Sequence, residues 1–177
     1  MAFPKAASAR GASPEDAQIW RWLEDVPDPE VPVVSVVDLG IVRDVAASPD
    51  ETRVTITPTY SGCPATAVIA LDIQTELEKR GAPNVQIETK LSPAWTTAWI
   101  SESGRRKLQE YGIAPPVEGA SCAGALRLTG TRESLTVTCP HCGSTKTECV
   151  SQFGSTPCKA SYRCLSCHEP FDYFKSI

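Results

Sequence analysis

Histidine is almost absent from this sequence. The chain of 177 residues contains two histidines, His141 and His168. Catalysis of the cysteine–histidine type is therefore not expected before residue 141, because no imidazole is present there to act as the base. The sequence also contains no Glu-x-x-His motif, which four-helix di-iron oxygenases need in pairs. We therefore do not expect this chain to hold such an iron pair.

The sequence also lacks a basic surplus and any long apolar run. Its formal net charge is -4, with 13 Lys and Arg against 18 Asp and Glu in residues 1–133 and 4 against 3 in residues 134–177. Phosphate backbones select a basic surface, so nucleic acid is not expected as a partner. No run approaches the ~18 apolar residues that span a bilayer, and the first residues lack the apolar stretch of a signal peptide. We expect a cytoplasmic protein with no membrane partner.

What is present is typical of a globular protein. Hydrophobic residues make up 41% and charged residues 21% of the chain, and the length suits one domain of ~100 residues followed by a small module. Hydrophobic periodicity and turn residues predict helices over 14–25, 64–80 and 102–111 and strands over 40–45, 52–57 and 84–91. The first two strands are predicted to form a hairpin, and the second helix could connect the second and third strands as a crossover. The predicted core positions are Ile19, Trp22 and Leu23 in the first helix and Ala65, Val68, Ile69, Ile73 and Leu77 in the second.

The predicted fold class is α+β, with a small mixed sheet and helices followed by a β-rich ribbon. The domain boundaries that we predict are residues 13–112 for the first domain, 113–133 for a linker rich in proline and glycine, and 134–177 for the ribbon. Residues 135–138 and 171–174 are predicted as strands of that ribbon. The linker assignment rests on the loss of periodicity between the last helix and the cysteine-rich tail.

Four cysteines in the tail form two Cys-x2-Cys pairs, Cys139 with Cys142 and Cys164 with Cys167. Each pair directs two sulfur atoms to one point, and two facing pairs complete a tetrahedron. A tail of 44 residues has too little interior to fold on apolar burial alone, so it needs a cross-link. We predict a structural zinc site with these four ligands, so that the β-rich tail is a zinc ribbon. A redox dithiol or a permanent iron–sulfur cluster are the alternatives, and His141 and His168 are expected beside the site rather than in it.

Cys63 stands apart from the tail. Because it precedes Pro64, it is predicted at or near the N-cap of the second helix, where unpaired backbone N–H groups favour an anion and should depress the pKa of the thiol. Cys63 is thus a candidate nucleophile or ligand for a soft metal, with a merely capping cysteine as the alternative. Asp28, Glu30 and Asp38 are acids that could lie near it. No role is assigned to Cys122, Cys149 or Cys158.

Three segments resemble a known family: Asp28-Pro29-Glu30-Val31-Pro32, Val37-Asp38-Leu39-Gly40-Ile41-Val42 and Thr57-Pro58-Thr59-Tyr60-Ser61-Gly62-Cys63-Pro64. They are similar to the metal–sulfur cluster assembly family that includes SufT-like proteins. The C-terminal ribbon contains a further segment, Cys164-Leu165-Ser166-Cys167-His168-Glu169-Pro170-Phe171. With this segment included, the whole chain resembles the family of D subunits of bacterial phenylacetyl-CoA epoxidase systems.

The resemblance implies an accessory role in phenylacetate breakdown rather than an enzyme activity of the chain's own. It implies a maturation factor for metal centres, with the reductase and oxygenase subunits as protein partners and with Cys63, Asp28 and Glu30 as a transient iron or iron–sulfur site. A structural adaptor that bridges oxygenase and reductase is the alternative, and formation of a homo-oligomer is left open.

Overall fold

The computed structural model describes residues 14–117 and 137–175 of the chain. They divide into two units, one made of residues up to 95 together with 99–104, and the other made of residues 96–98 and those from 105 onward. Each unit carries its own sheet. The predicted α+β class is confirmed, and the boundary between the units falls within the last helix.

The described residues form three α-helices and seven β-strands, and a short 3-10 turn lies at Thr97–Trp99. In chain order they are α1 (Pro14–Leu23), β1 (Val42–Ala47), β2 (Thr52–Ile56), α2 (Thr66–Lys79), β3 (Val85–Thr89), α3 (Glu102–Glu110), β4 (Ile113–Ala114), β5 (Thr147–Ser151), β6 (Lys159–Cys164) and β7 (Pro170–Phe174).

The first sheet has the strand order β1-β2-β3. The predicted hairpin is confirmed, because β1 pairs with β2 in antiparallel fashion. The predicted strand–helix–strand crossover is also confirmed, since β3 pairs with β2 in parallel and α2 connects them. Parallel neighbours require a connection of this length, which a tight turn cannot provide.

The core of the first unit is formed where α2 faces this sheet. Ile69, Ile73 and Leu77 are buried at intervals of four residues, as one face of a helix requires. Val68 is predicted to share that face but is 46% exposed. The prediction is wrong because one residue turns the helix by about 100°, which moves Val68 off the buried stripe.

Helix α1 supplies a second apolar face to the same unit. Ile19 and Leu23 are buried as predicted, whereas Trp22 is only half-buried. The Asp16 Oδ1 atom accepts a hydrogen bond of 2.7 Å from the backbone N–H of Ala47, which ties the helix to the end of β1.

The second sheet has the order β4-β7-β6-β5. Residues 171–174 lie in β7 as predicted, but Val137 and Thr138 belong to no strand, and residues 135 and 136 lie outside the described ranges. The first two residues of the expected linker form β4, which pairs in parallel with β7. Ala114 joins the buried cluster of the second unit with Val137, Tyr162, Phe171 and Tyr173. Residues 118–133 of the expected linker, which include Cys122, lie outside the described residues.

Among the helices of residues 14–117 and 137–175, none has the length and apolar character that a membrane crossing demands.

Gly40 is the position in the first unit where glycine is required most strictly. Its φ of +66° lies in the left-handed region, and a Cβ added there would lie 2.5 Å from the Trp99 carbonyl oxygen. Trp99 is itself held in place, because the Arg43 guanidinium lies 3.5 Å from the centre of its ring. Backbone conformation and space therefore both exclude a side chain.

We predict that Gly40→Ala lowers the free energy of unfolding by about 3 kcal/mol, the sum of left-handed strain and overpacking. Gly81→Ala is the matched control, since its φ is +86° but no atom lies within 4 Å of the added Cβ. That variant should lose only about 1 kcal/mol. Urea unfolding followed by tryptophan fluorescence measures both, because all four tryptophans lie in the first unit. Equal losses in the two variants would show that the close approach of Trp99 to Gly40 adds no destabilisation.

Candidate metal centre and the Cys63 loop

The four tail cysteines converge on one point. The Sγ atoms of Cys139, Cys142, Cys164 and Cys167 all lie within 4.8 Å of one another. The Cys139 and Cys167 sulfurs are 3.8 Å apart, and those of Cys142 and Cys164 are 3.6 Å apart. A tetrahedron with metal–sulfur distances of ~2.3 Å has sulfur–sulfur edges of about 3.8 Å. The donor set and its spacing therefore fit a tetrahedral ion such as zinc.

Tight turns present these sulfurs. In the first turn, the Gly143 N–H donates to the Cys139 carbonyl and the Cys139 N–H donates to the Ser144 carbonyl. In the second turn, the Cys164 Sγ accepts backbone N–H groups from Ser166 at 3.4 Å and from Cys167 at 3.5 Å. The two turns also touch each other, because the hydroxyls of Ser144 and Ser166 lie 2.8 Å apart.

The electrostatics of the cluster favour a bound cation. The backbone N–H of Cys167, assisted by that of Ser166, lowers the pKa of Cys164 to about 6. The backbone N–H of Glu169 acts in the same direction at Cys167, but desolvation and the neighbouring thiols outweigh it and raise the pKa of Cys167 to about 12. Thiolates this close repel each other, so all four carry charge together only around a cation.

The sulfur cluster rests on the aromatic core of the second sheet. Tyr162 stacks on Phe171 with ring centres 5.8 Å apart and meets Tyr173 edge-on at 5.5 Å. Cys139 and Cys164 are buried in that same apolar cluster. The apolar contacts and the sulfur site therefore stabilise the same small interior.

The other polar groups of the tail lie around the cluster, outside the set of four. His141 and His168 are both exposed, and a Cβ on Gly112 would lie 3.1 Å from the His141 Cε1 atom. Cys149 is exposed on β5. Cys158 is buried, with its Sγ 3.0 Å from the Thr156 hydroxyl. None of these four residues belongs to the group of converging sulfurs.

Cys63 lies in a turn between β2 and α2. Its N–H donates to the Tyr60 carbonyl, and its own carbonyl accepts hydrogen bonds from the backbone and the hydroxyl of Thr66. The helix begins at Thr66 with Ala65 as its N-cap. Cys63 therefore lies near the N-cap, as predicted, but two residues before it, because the chain makes a tight turn through Pro64 before the helix starts. The side chain of Cys63 is half-buried and so keeps some contact with solvent.

Asp28 and Glu30 lie in the proline-rich segment after α1. Asp28 is 6% exposed, and its Oδ1 accepts backbone N–H groups from Glu30 at 2.9 Å and Val31 at 2.8 Å. Carboxylates that accept local N–H groups in this way hold turns together. A structural role for Asp28 is therefore established by its contacts.

Asp38 binds the start of α3. Its Oδ2 accepts the Ser35 N–H at 3.2 Å and its Oδ1 accepts the Ser101 hydroxyl at 2.9 Å. The Ser101 Oγ in turn accepts the Gly104 N–H at 2.8 Å, as an N-cap residue does. This link from Asp38 through Ser101 to the start of α3 was not predicted, although a serine directly before a helix that begins with glutamate is an N-cap signal.

The structure therefore brings the four tail cysteines together and does not bring Cys63, Asp28 and Glu30 together. Throughout residues 14–117 and 137–175, the tail thiols are the one group of three or more Cys, His, Asp or Glu ligand atoms gathered closely enough for a metal ion. A metal site at Cys63 with three or more such ligands would therefore need ligand atoms from outside these described residues.

Two family models match the chain. Residues 125–175 match the model described as the PaaD zinc beta ribbon domain. Residues 16–88 match the model described as an iron-sulfur cluster assembly protein. The first match contains the four tail cysteines, and the second contains Cys63, Asp28 and Glu30.

The chain also resembles individual proteins. An Escherichia coli K12 protein, named as the D subunit of a "Putative 1,2-phenylacetyl-CoA epoxidase", is 46% identical over 166 residues, which are 94% of this chain and 96% of that protein. A domain of unknown function from Bacillus anthracis is 28% identical with a TM-score of 0.49, over 52% of this chain and 89% of its own. A conserved hypothetical protein from Thermotoga maritima is 31% identical with a TM-score of 0.45, over 54% of this chain and 93% of its own.

We predict that Asp38→Asn lowers the free energy of unfolding by about 2 kcal/mol, because the new NH2 group must face either the Ser35 N–H or the Ser101 hydroxyl. Ser101→Ala should lose about 1 kcal/mol, and the double variant should lose less than the sum. Urea unfolding measures all three. Asp44→Asn, at an exposed position of β1, is the control and should stay within about 0.5 kcal/mol of the parent. Additive losses would contradict the energetic coupling between Asp38 and Ser101.

Proposed function

Because the chain belongs to the family of 1,2-phenylacetyl-CoA epoxidase D subunits, we propose that it is an accessory subunit of such an epoxidase system and assists assembly of the metal centres of its partner subunits. The partners proposed are the reductase and oxygenase subunits, and the cargo is iron or an iron–sulfur cluster. The accessory role follows from the relative that matches nearly the whole chain. The chain is not proposed to catalyse the epoxidation.

One observation carries the maturation role. The segment that matches the iron–sulfur cluster assembly family includes Cys63. Cys63 is half-buried in a turn, so that part of this residue is exposed to solvent. Thiolates are the ligands that iron–sulfur clusters prefer. A single accessible cysteine suits transient binding, because a cargo held by few ligands is released readily to a client that offers more of them.

The acids play a lesser part in this proposal. The Oδ1 atom of Asp28 is occupied by two backbone N–H groups, so we assign Asp28 to holding its turn. Glu30 remains a predicted contributor to the cargo site. Cys63 is therefore the residue on which the transient site depends.

The zinc ribbon has a separate task in the proposal. Cys139, Cys142, Cys164 and Cys167 would hold one zinc ion in a closed set of four thiolates. Zinc bound in this way supplies folding energy and leaves no coordination position for substrate or water. The ribbon therefore braces the second unit and presents its surface to partners.

An adaptor without a cargo function is the second candidate. Val150 and Phe153 are 66% and 68% exposed near the β5–β6 connection. Large apolar side chains that are exposed within a few residues of each other are candidates for a contact surface. In this alternative the ribbon binds a partner and Cys63 has no task.

We predict that Cys63→Ser abolishes transient cluster binding. The purified protein and the variant would be incubated anaerobically with iron and sulfide, and bound iron would be measured after desalting. Cys149→Ser, which removes an exposed thiol outside both sites, is the control and should bind as the parent does. Equal iron uptake by Cys63→Ser and the parent would remove Cys63 from the mechanism.

The same variants distinguish maturation from an adaptor role. When each is co-expressed with the reductase subunit, Cys63→Ser should leave the purified reductase with less cluster, while complex formation stays normal. A reductase with its full cluster content, recovered in a normal complex, would favour the adaptor.

We predict about one zinc per chain in the parent and its loss when Cys164 is replaced by serine. Elemental analysis measures the metal, and a protease time course followed by mass spectrometry measures protection of residues 137–175. Protection should be lost with the metal, because ligation stabilises this small unit. Cys149→Ser should keep both zinc and protection. Retained zinc with an intact tail in Cys164→Ser would refute the ligand assignment.

A further inference from the structure

A groove opens at one end of the first sheet and has a volume of about 390 Å³. It lies between α1, the turn from β1 to β2 and the turn after α2. Ligand sites in proteins usually measure about 300–1,000 Å³ and have mostly apolar walls. The apolar walls here are formed by Ile19, Trp22, Ala47, Pro49, Ala82 and Pro83.

This groove is not part of the Cys63 site. Strand β2 begins at Thr52 beside the groove and ends at Ile56, from which the chain runs on to Cys63. Helix α2 begins close after Cys63 and ends at Lys79, just before Ala82. The groove and Cys63 therefore lie at opposite ends of the same strand and the same helix. All the residues concerned belong to the first unit.

The polar groups of the groove indicate what it binds. They are Glu15, Gln18, Ser48 and Thr52, and no lysine or arginine of the described residues lines the walls. Glu15 is exposed, so its carboxylate favours a cation at the rim. Thr52 is fully buried, and no group in the described residues hydrogen-bonds its Oγ1. Buried hydroxyls normally have a partner, so an occupant with a hydrogen-bonding edge fits this floor.

We propose that the groove binds an aromatic side chain of a protein partner, a tryptophan or tyrosine followed by a lysine or arginine. Ser48, Pro49 and Gly81 are exposed along its rim, so a small molecule would stay open to water, whereas a partner surface covers its own anchor residue. Tryptophan and tyrosine combine an apolar ring with a polar edge. The basic residue pairs with Glu15. The inference does not rest on the proposed function, because it involves neither Cys63 nor the tail.

Two capped tetrapeptides test the proposal on the full chain. N-acetyl-Gly-Trp-Lys-Gly-amide and N-acetyl-Gly-Trp-Glu-Gly-amide differ only in the charge beside the ring. Each is titrated into ¹⁵N-labelled protein while the Trp22 indole N–H and the backbone amides of Ala47 and Ala82 are followed by NMR. We expect both peptides to shift these signals and the lysine peptide to bind about fivefold more tightly, as one exposed charge pair allows.

Three variants assign the effect to residues. Glu15→Gln should remove the preference for the lysine peptide. Glu24→Gln removes an exposed carboxylate just after α1 and outside the groove, and should keep the preference. Thr52→Val should weaken both peptides about threefold, since the hydroxyl partner is lost. Absence of shifts at the three signals, equal affinities in the parent, or a preference that survives Glu15→Gln would overturn the proposal.

Discussion

Four sulfur atoms that would repel one another as thiolates are the constraint on which the second unit depends. Two pairs of them lie 3.8 and 3.6 Å apart across the two turns, and all four lie within 4.8 Å of one another. Backbone N–H groups lower the pKa of Cys164 to about 6, while desolvation and the neighbouring thiols raise the pKa of Cys167 to about 12. The interior beside them is small, with Tyr162, Phe171 and Tyr173 as its main side chains. A metal ion that joins the turns therefore stabilises the site and the sheet that carries it at the same time.

The second unit also contains residues that precede the tail. Strand β4 adds Ile113 and Ala114 to the edge of β7, and the Tyr173 hydroxyl lies 3.5 Å from the Val117 N–H as its acceptor. Arg105 holds the same region by donating to the carbonyls of Thr97 and Pro116. Residues 113 and 114 thus complete the ribbon sheet. The stability of this sheet therefore does not depend on the cysteine-rich tail alone.

In the first unit, the buried acids hold the backbone and the cysteine stays reachable. Asp28 closes the proline-rich turn and Asp38 fastens Ser101 at the start of α3. These carboxylates are buried because local N–H and O–H groups replace the water that they lose. Cys63 makes its hydrogen bonds in this turn through its backbone, so these bonds do not use the thiol. The transient cargo site that we propose depends on this half-buried cysteine.

The α+β class, the hairpin, the crossover and the pairing of two Cys-x2-Cys turns could be predicted from the sequence, because each depends on a short periodicity or on residue spacing that the chain carries locally. Tertiary packing was needed to show that Val68 is exposed, that Cys63 precedes the N-cap, that Ile113 and Ala114 form a strand, and that the acids serve turns. The groove beside Trp22 also emerges only from packing, since its walls come from segments that are distant in the chain. Local pattern sets which elements form, whereas which side chains meet depends on how those elements pack, and packing between distant segments leaves no periodic trace in the sequence.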